Sequence, residues 1–288
     1  MIKYNPKNWF KLIFALHKSD TMRILWKEII YIVLFTLIIS FLLINYFPYK
    51  NQLGALMTVY SLIGFVISLL LVFRTNTGYE RWWEGRKQWG KLVNNSRNLA
   101  IKITSIVDDE EDIAYFKRML PNFVFAMKEH LRQGVDFGEL DLTKDEIADL
   151  ADRNHIPNGI VSMLYKRMNK MKKEGKISQE EFITLDTNLN ALLDILGACE
   201  RIKNTPIPYS YSLFIKKFIF IYVTTIPLAF IPTFGYFSVL IAAFIFYVLV
   251  SMEILAEEIE DPFGKDANDL PTGELSIKIR DNVREIMG

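Results

Sequence analysis

Gly54-Ala55-Leu56-Met57-Thr58-Val59-Tyr60-Ser61-Leu62-Ile63-Gly64-Phe65-Val66-Ile67-Ser68-Leu69-Leu70-Leu71-Val72-Phe73 carries no charge. The next residues are Arg74-Thr75-Asn76-Thr77-Gly78-Tyr79-Glu80-Arg81-Trp82-Trp83-Glu84-Gly85-Arg86-Lys87. A helix needs roughly 20 apolar residues to span a bilayer core, and the first run has that length. Two faces are written along it. Ser61, Gly64 and Ser68 form a small-residue stripe that lets another helix approach closely. Phe65, Leu69 and Phe73, at i, i+4 and i+8, form a bulky apolar stripe. Identical helices meeting around an axis would turn the bulky stripe into stacked apolar rings, a constriction that gates ions by dewetting. Periodicity alone leaves that reading open beside ordinary packing against lipid or a neighbouring helix.

Upstream, Ile29 to Phe47 is a second uncharged run, joined to the first by Pro48, Tyr49, Lys50, Asn51 and Gln52. Met1 to Lys27 holds Lys3, Lys7, Lys11, Lys18, Arg23 and Lys27 against one acid, Asp20, and Arg74, Arg81, Arg86, Lys87 and Lys91 crowd the far end of the pair. By the positive-inside rule both charged flanks are cytoplasmic and the short turn is external. The N-terminal segment reads as an interfacial lead-in, with Trp9 and Trp26 at headgroup level. It does not read as a cleaved signal, because the apolar stretch is too long and has no small-residue cleavage site. Phe218 to Met252 is uncharged again, too long for one span and interrupted by Pro227, Pro232 and Gly235, which predicts a second hairpin turning near Pro232 to Gly235. Lys216 and Lys217 snorkel at its start.

The composition fits a membrane protein with a substantial soluble part. Of 288 residues, 51% are hydrophobic, yet 23% are charged, so the charges must be segregated along the chain. Between Lys91 and Tyr211 the signals are helical. Asp108 to Asp112 supplies acids suited to a helix N-terminus, Thr143 with Glu146 and Ser178 with Glu181 fit capping boxes, and Pro157 and Gly175 punctuate. Phe182, Leu185, Leu189, Leu192 and Leu196 repeat at close to 3.6 residues. The expected class is therefore all-α: a polytopic membrane protein with four transmembrane helices and a helical cytosolic domain. The expected divisions are a cytoplasmic interfacial segment 1–28, a transmembrane hairpin 29–73, a cytosolic domain 74–215, a second hairpin 216–252 and a cytoplasmic tail 253–288 with an acidic loop. Both termini are expected in the cytoplasm, and the protein is expected to be multi-pass in the cell's inner or plasma membrane.

Enzyme-like signals are weak, and no acid, base and nucleophile constellation appears. His17, His130 and His155 have neither HExxH nor paired spacing and read as surface or capping residues. Gly85-Arg86-Lys87 and Gly90-Lys91 lack the upstream glycine of a phosphate loop. Cys199, the single cysteine, excludes an intrachain disulfide and reads as a buried, inert thiol. A net charge of +1 gives no nucleic-acid footprint, and Tyr79, Arg81, Trp82, Trp83, Arg86 and Trp89 read as an interfacial belt. The acidic run Glu257 to Asp269, bent by Pro262 and Gly264, offers carboxylates to a hard cation but also fits a solvated linker.

Three motifs carry a resemblance. Phe73-Arg74-Thr75-Asn76 with Tyr79 to Arg86, Cys199-Glu200-Arg201-Ile202 with Asn204 to Pro208, and Glu258 through Pro262-Phe263-Gly264 to Pro271 are similar to the bestrophin family, its bacterial branch above all. The likeness covers essentially the whole chain. It implies a homopentameric ion channel around a central pore, whose second span lines a hydrophobic neck. Counted back from Arg74, the neck positions fall on Phe65, Leu69 and Phe73. It also implies a cytosolic aperture at Glu180, where relatives are expected to carry an apolar residue. A ring of carboxylates there attracts cations. The implied calcium positions are Asp261, Asp266 and Asp269. Lys265 and Ala267 stand where acidic residues are expected, so calcium gating is expected to be weak or absent and no cofactor is required.

The partners implied are the lipid bilayer, further copies of the chain and monovalent ions, with no nucleic acid. Bacterial relatives point to sodium or potassium and animal relatives to chloride; Glu180 tips the expectation toward cations. The competing class is a non-conducting membrane-anchored scaffold, which needs no apolar stripe ending in the arginine motif. A secondary transporter is disfavoured because no acid or histidine lies within the spans and no inverted repeat is apparent.

Overall fold

A computed structural model of the chain describes residues 21–46, 56–132 and 134–288. The basic lead-in with Trp9 and His17, and the turn at Pro48 to Gln52, lie outside the described residues. Among the described residues every regular element is helical, as the sequence predicts: α1 (Thr21–Tyr46), α2 (Leu56–Ile106), α3 (Glu110–His130), α4 (Lys144–Ala151), α5 (Ile156–Lys173), α6 (Gln179–Asn204), α7 (Tyr209–Phe234), α8 (Ser238–Glu260) and α9 (Thr272–Ile286). The apolar run of α2 ends at Phe73, but its helix does not. No proline follows before Ile106, and Thr75 and Thr77 satisfy their hydroxyls on the carbonyls of Leu71 and Phe73, at 2.8 and 2.9 Å. Thr21–Tyr46, Leu56–Ile106 and Tyr209–Glu260 are each long and apolar enough to cross a membrane. The last of these is divided by a 3-10 turn, Gly235–Phe237, into α7 and α8. Pro227 and Pro232 lie inside α7, so the turn falls at the glycine.

The chain forms two compact units. The first contains α1, α2 as far as Trp82, α7, α8 and residues 266–269. Its core is Ile67 and Leu71 of α2, Ile215, Ile219, Tyr222, Val223 and Ile226 of α7, and Ala242 and Leu249 of α8. α1 packs on α8 through hydroxyl as well as apolar side chains. Its buried residues are Thr21, Leu25, Thr36 and Ser40. Ser251 donates to Thr21 at 3.0 Å, and the Ser40 and Ser238 hydroxyls meet at 3.3 Å. In lipid, where apolar contact gives no net drive, small and hydroxyl side chains make such an interface. Of the small stripe on α2, only Gly64 serves this packing, because a Cβ there would sit 2.6 Å from the Tyr222 hydroxyl. Ser61 and Ser68 are exposed and hydrogen-bond back to the Met57 and Gly64 carbonyls, at 2.8 Å each.

The second unit comprises residues 83–205, 263–265 and 270–288. Both predicted capping boxes form: Thr143 with Glu146 starts α4 and Ser178 with Glu181 starts α6. Asp109 caps α3, and Asp112 in its first turn is buried, held by Arg167 and by Lys176, whose ammonium lies 2.8 Å away. The apolar stripe of α6 is buried at Leu185, Leu189, Leu192 and Leu196, while Phe182 is only partly covered. Asn188 on the same helix accepts from Lys102 at 2.7 Å and exchanges hydrogen bonds with Asn95, at 2.7 and 2.8 Å, tying α6 to α2. Cys199 is fully buried, and burial pushes its thiol up to about 12, in keeping with an inert side chain.

Candidate functional site

The first 27 residues of α2, Leu56 to Trp82, have two unlike faces. Ile67, Leu71 and Arg74 are buried at 1, 3 and 1% exposure, whereas Phe65, Leu69 and Phe73 stand 65, 44 and 54% exposed. The predicted bulky stripe is therefore not used inside a single chain. It leaves three large apolar groups in a row along one helix, separated by one turn each.

Where the apolar run ends, the first two resemblance segments meet the third within the first unit. Arg74 Nη2 lies 2.6 Å from Glu260 Oε2, and its Nε lies 3.8 Å from the buried Glu253. Glu260 is used at three atoms: Oε2 by Arg74, Oε1 by the Ile207 N–H at 2.7 Å, and its carbonyl by Arg81 Nε at 3.0 Å. The Trp82 indole donates to the Asn268 carbonyl at 3.0 Å, and the Asn268 amide donates to Glu258 at 2.5 Å. Gly78 permits this approach, since a Cβ there would lie 3.0 Å from the Ala256 carbonyl oxygen and from Ile259. Arg74, Arg81 and Trp82 are thus anchors for the acidic segment, and Trp89, expected in an interfacial belt, is instead fully buried. Only tertiary contact reveals this, because the partners stand about 180 residues away in sequence.

Asp261, Asp266 and Asp269 share one loop and sense one another. Burial first, then the charges of Asp266, Asp261 and Glu258, push the Asp269 carboxyl up to about 6, partly offset by the Asp266 N–H it accepts at 2.6 Å. Asp269 Oδ1 is buried without a hydrogen-bond partner. The ligand atoms of the three aspartates do not come together within 4.8 Å. Because the folded-state value lies above the unfolded aspartate value of about 3.9, protonation favours the fold. Stability is lowest when Asp269 is ionised and rises as pH falls through about 6. With a calcium chelator present, lowering pH from about 7 to about 5 should stabilise the wild type by about 1 kcal/mol more than Asp269→Asn. The difference between their denaturant midpoints reads this directly, and equal slopes would refute it.

Glu180, the expected aperture residue, lies in the first turn of α6 in the second unit and is exposed. Two of the histidines expected to be surface or capping residues come together with Glu200. His130 Nε2 and His155 Nε2 each lie 2.7 Å from Glu200 Oε1, with ring centroids 4.3 Å apart. His155 does cap α5, accepting the Asn158 N–H at 3.3 Å, as expected of a capping residue. Convergence on Glu200, 45 and 70 residues distant, has no signature in local spacing.

Apolar helices of spanning length, one of them tied by a buried arginine to two glutamates of another, define a class: a helical membrane protein. The chain belongs to the bestrophin family, and the family described as Bacterial/Fungal Bestrophin protein matches residues 1–285. It is 32% identical to a voltage-dependent anion channel-forming protein of Nostoc sp. over 97% of this chain and 92% of the relative. It is 30% identical to the voltage-dependent anion channel-forming protein YneE of Escherichia coli K12, over 94% of this chain and 89% of that one. Among solved structures it is similar to a bacterial Bestrophin homolog from Klebsiella pneumoniae, with TM-score 0.81 and 28% identity, covering 90% of this chain and 98% of that chain. A crystal structure described as a membrane protein gives TM-score 0.84 at 28% identity, covering 92% and 98%.

Proposed function

We propose that this chain forms an ion channel. Five copies, each with four spans and both termini in the cytoplasm, surround a central pore whose neck is lined by Phe65, Leu69 and Phe73. One observation carries the reading: in a member of the bestrophin family, these three side chains are exposed on a helix whose opposite face is buried. Core packing within the chain has no use for them, and a ring of such groups is a hydrophobic gate. The names of the relatives, as channel-forming proteins, support conduction over a scaffold role. In this reading the divisions 1–28, 29–73, 74–215, 216–252 and 253–288 are the functional parts, and conduction requires no calcium.

A hydrophobic neck does not choose the sign of the ion; charged rings do. Glu180 is exposed and acidic, which favours monovalent cations such as sodium or potassium at the aperture. Anion passage is the second reading, favoured by the anion channels named among the relatives. Currents from liposomes holding purified protein in a sodium chloride gradient test both. The expected reversal potential lies toward the sodium equilibrium, and Glu180→Gln moves it toward zero. A potential at the chloride equilibrium that Glu180→Gln leaves in place would establish the second reading. Intact oligomers that pass no current would overturn both.

A further inference from the structure

We infer that His130, His155 and Glu200 form a binding site for one divalent transition-metal ion of the zinc class. The donors come from three elements of the second unit: the last residue of α3, the N-cap of α5 and the body of α6. Their ligand atoms all lie within 4.8 Å of one another, and among the described residues this is the group of His, Cys, Asp and Glu that converges in this way. Two imidazole nitrogens and one carboxylate oxygen form a donor set that zinc takes readily, with a fourth position left to water. Imidazole donors disfavour calcium and magnesium, which prefer all-oxygen shells.

The scaffold holds the donors in place without the ion. Lys203, three residues beyond Glu200 on α6, donates to the carbonyls of Leu131 and Arg132, the latter at 2.9 Å, and so fastens the end of α3 that carries His130. His155 is set by its place at the start of α5, followed by Pro157. The side chains of the trio are 27, 30 and 28% exposed, so an ion can enter and keep a water. A depression lined by Ser162, Tyr165 and Gly197 opens onto Glu200.

The adjustment that binding demands is small. Arms of 2.0–2.1 Å in a tetrahedron place ligand atoms about 3.3 Å apart, so each nitrogen need withdraw from Glu200 Oε1 by only about half an ångström. Without the ion, His155 accepts the Asn158 N–H at Nδ1, which puts its ring proton on Nε2 facing Glu200. On binding, that proton moves to Nδ1 and Nε2 becomes the ligand. The capping bond is given up, but at 3.3 Å it is already long. Binding of this kind links three helices and stabilises the fold by linkage.

Zinc titration of tag-free, chelator-stripped full-length protein in detergent, against a chromophoric competitor, tests the site. The expected result is one ion per chain and a raised unfolding temperature, with His130→Gln and His155→Gln each weakening binding at least about tenfold and removing the thermal shift. The chain has three histidines in all, so competing imidazole sites are few. Cobalt(II) bound to the wild type should show the intense visible bands of a four- or five-coordinate site, bleached by zinc, a readout that survives if the variants fail to fold. No stoichiometric zinc in the wild type, equal affinity in the variants, or a cobalt spectrum of purely six-coordinate character would each overturn the assignment.

Discussion

Replacing Phe65, Leu69 and Phe73 together by alanine should raise ion flux through the reconstituted protein by at least about tenfold, with little change in its unfolding temperature. The two readouts matter jointly. Were these side chains core residues, the phenylalanine truncations alone would cost about 3–5 kcal/mol each. At 65, 44 and 54% exposure they fill no cavity within the chain, so their removal leaves the fold of the subunit intact. If they ring a pore, each truncation widens the constriction and replaces a large apolar wall that repels water. A wetted neck conducts; a dry one does not. Single-channel or stopped-flow flux measurements would show the gain. Unchanged flux with unchanged stability would place the stripe against lipid instead, and a collapse of stability would place it in an interface between subunits.

The second large effect is expected at Arg74. Arg74→Ala should lower stability by about 3–5 kcal/mol, because it leaves Glu260 without its 2.6 Å partner and leaves the buried Glu253 facing no cation across 3.8 Å. Both Glu253 carboxylate oxygens have no hydrogen-bond partner, so the charges of Arg74 first and Lys216 second are what offset their burial. Adding Glu253→Gln to Arg74→Ala should recover a substantial part of the loss, a coupling that a double-mutant cycle isolates. Arg74→Lys should fall between, since an ammonium keeps the charge but cannot reach two carboxylates with a planar fork. Thermal unfolding of detergent-purified variants gives the order. Purely additive losses for Arg74→Ala and Glu253→Gln would show that the pair is not coupled.

The helical class, the apolar segments and the helix starts followed from local chemistry. A helical run such as Leu56 to Phe73 satisfies its backbone internally wherever it lies, and Thr143 with Glu146 or Ser178 with Glu181 closes a cap within four residues. Such features need no knowledge of distant contacts, and the bulky stripe on α2 was legible for the same reason. The family was legible too, because its motifs are contiguous.

What tertiary structure alone decided were the meetings of residues far apart in the chain. The sequence showed Arg74, Gly78, Arg81 and Trp82 as a charged and aromatic end to a helix; folding made them the clamp on Glu253, Glu260 and Asn268. The small stripe of Ser61, Gly64 and Ser68 divided, since only Gly64 faces Tyr222 and the serines turn their hydroxyls back onto their own helix. His130 and His155, unremarkable in spacing, came to share one carboxylate oxygen of Glu200. Periodicity specifies which side of a helix is apolar, because that depends on the helix alone. What each side faces depends on the angle and register at which helices pack, which is fixed by the sum of many distant contacts and appears in no single stretch of the chain.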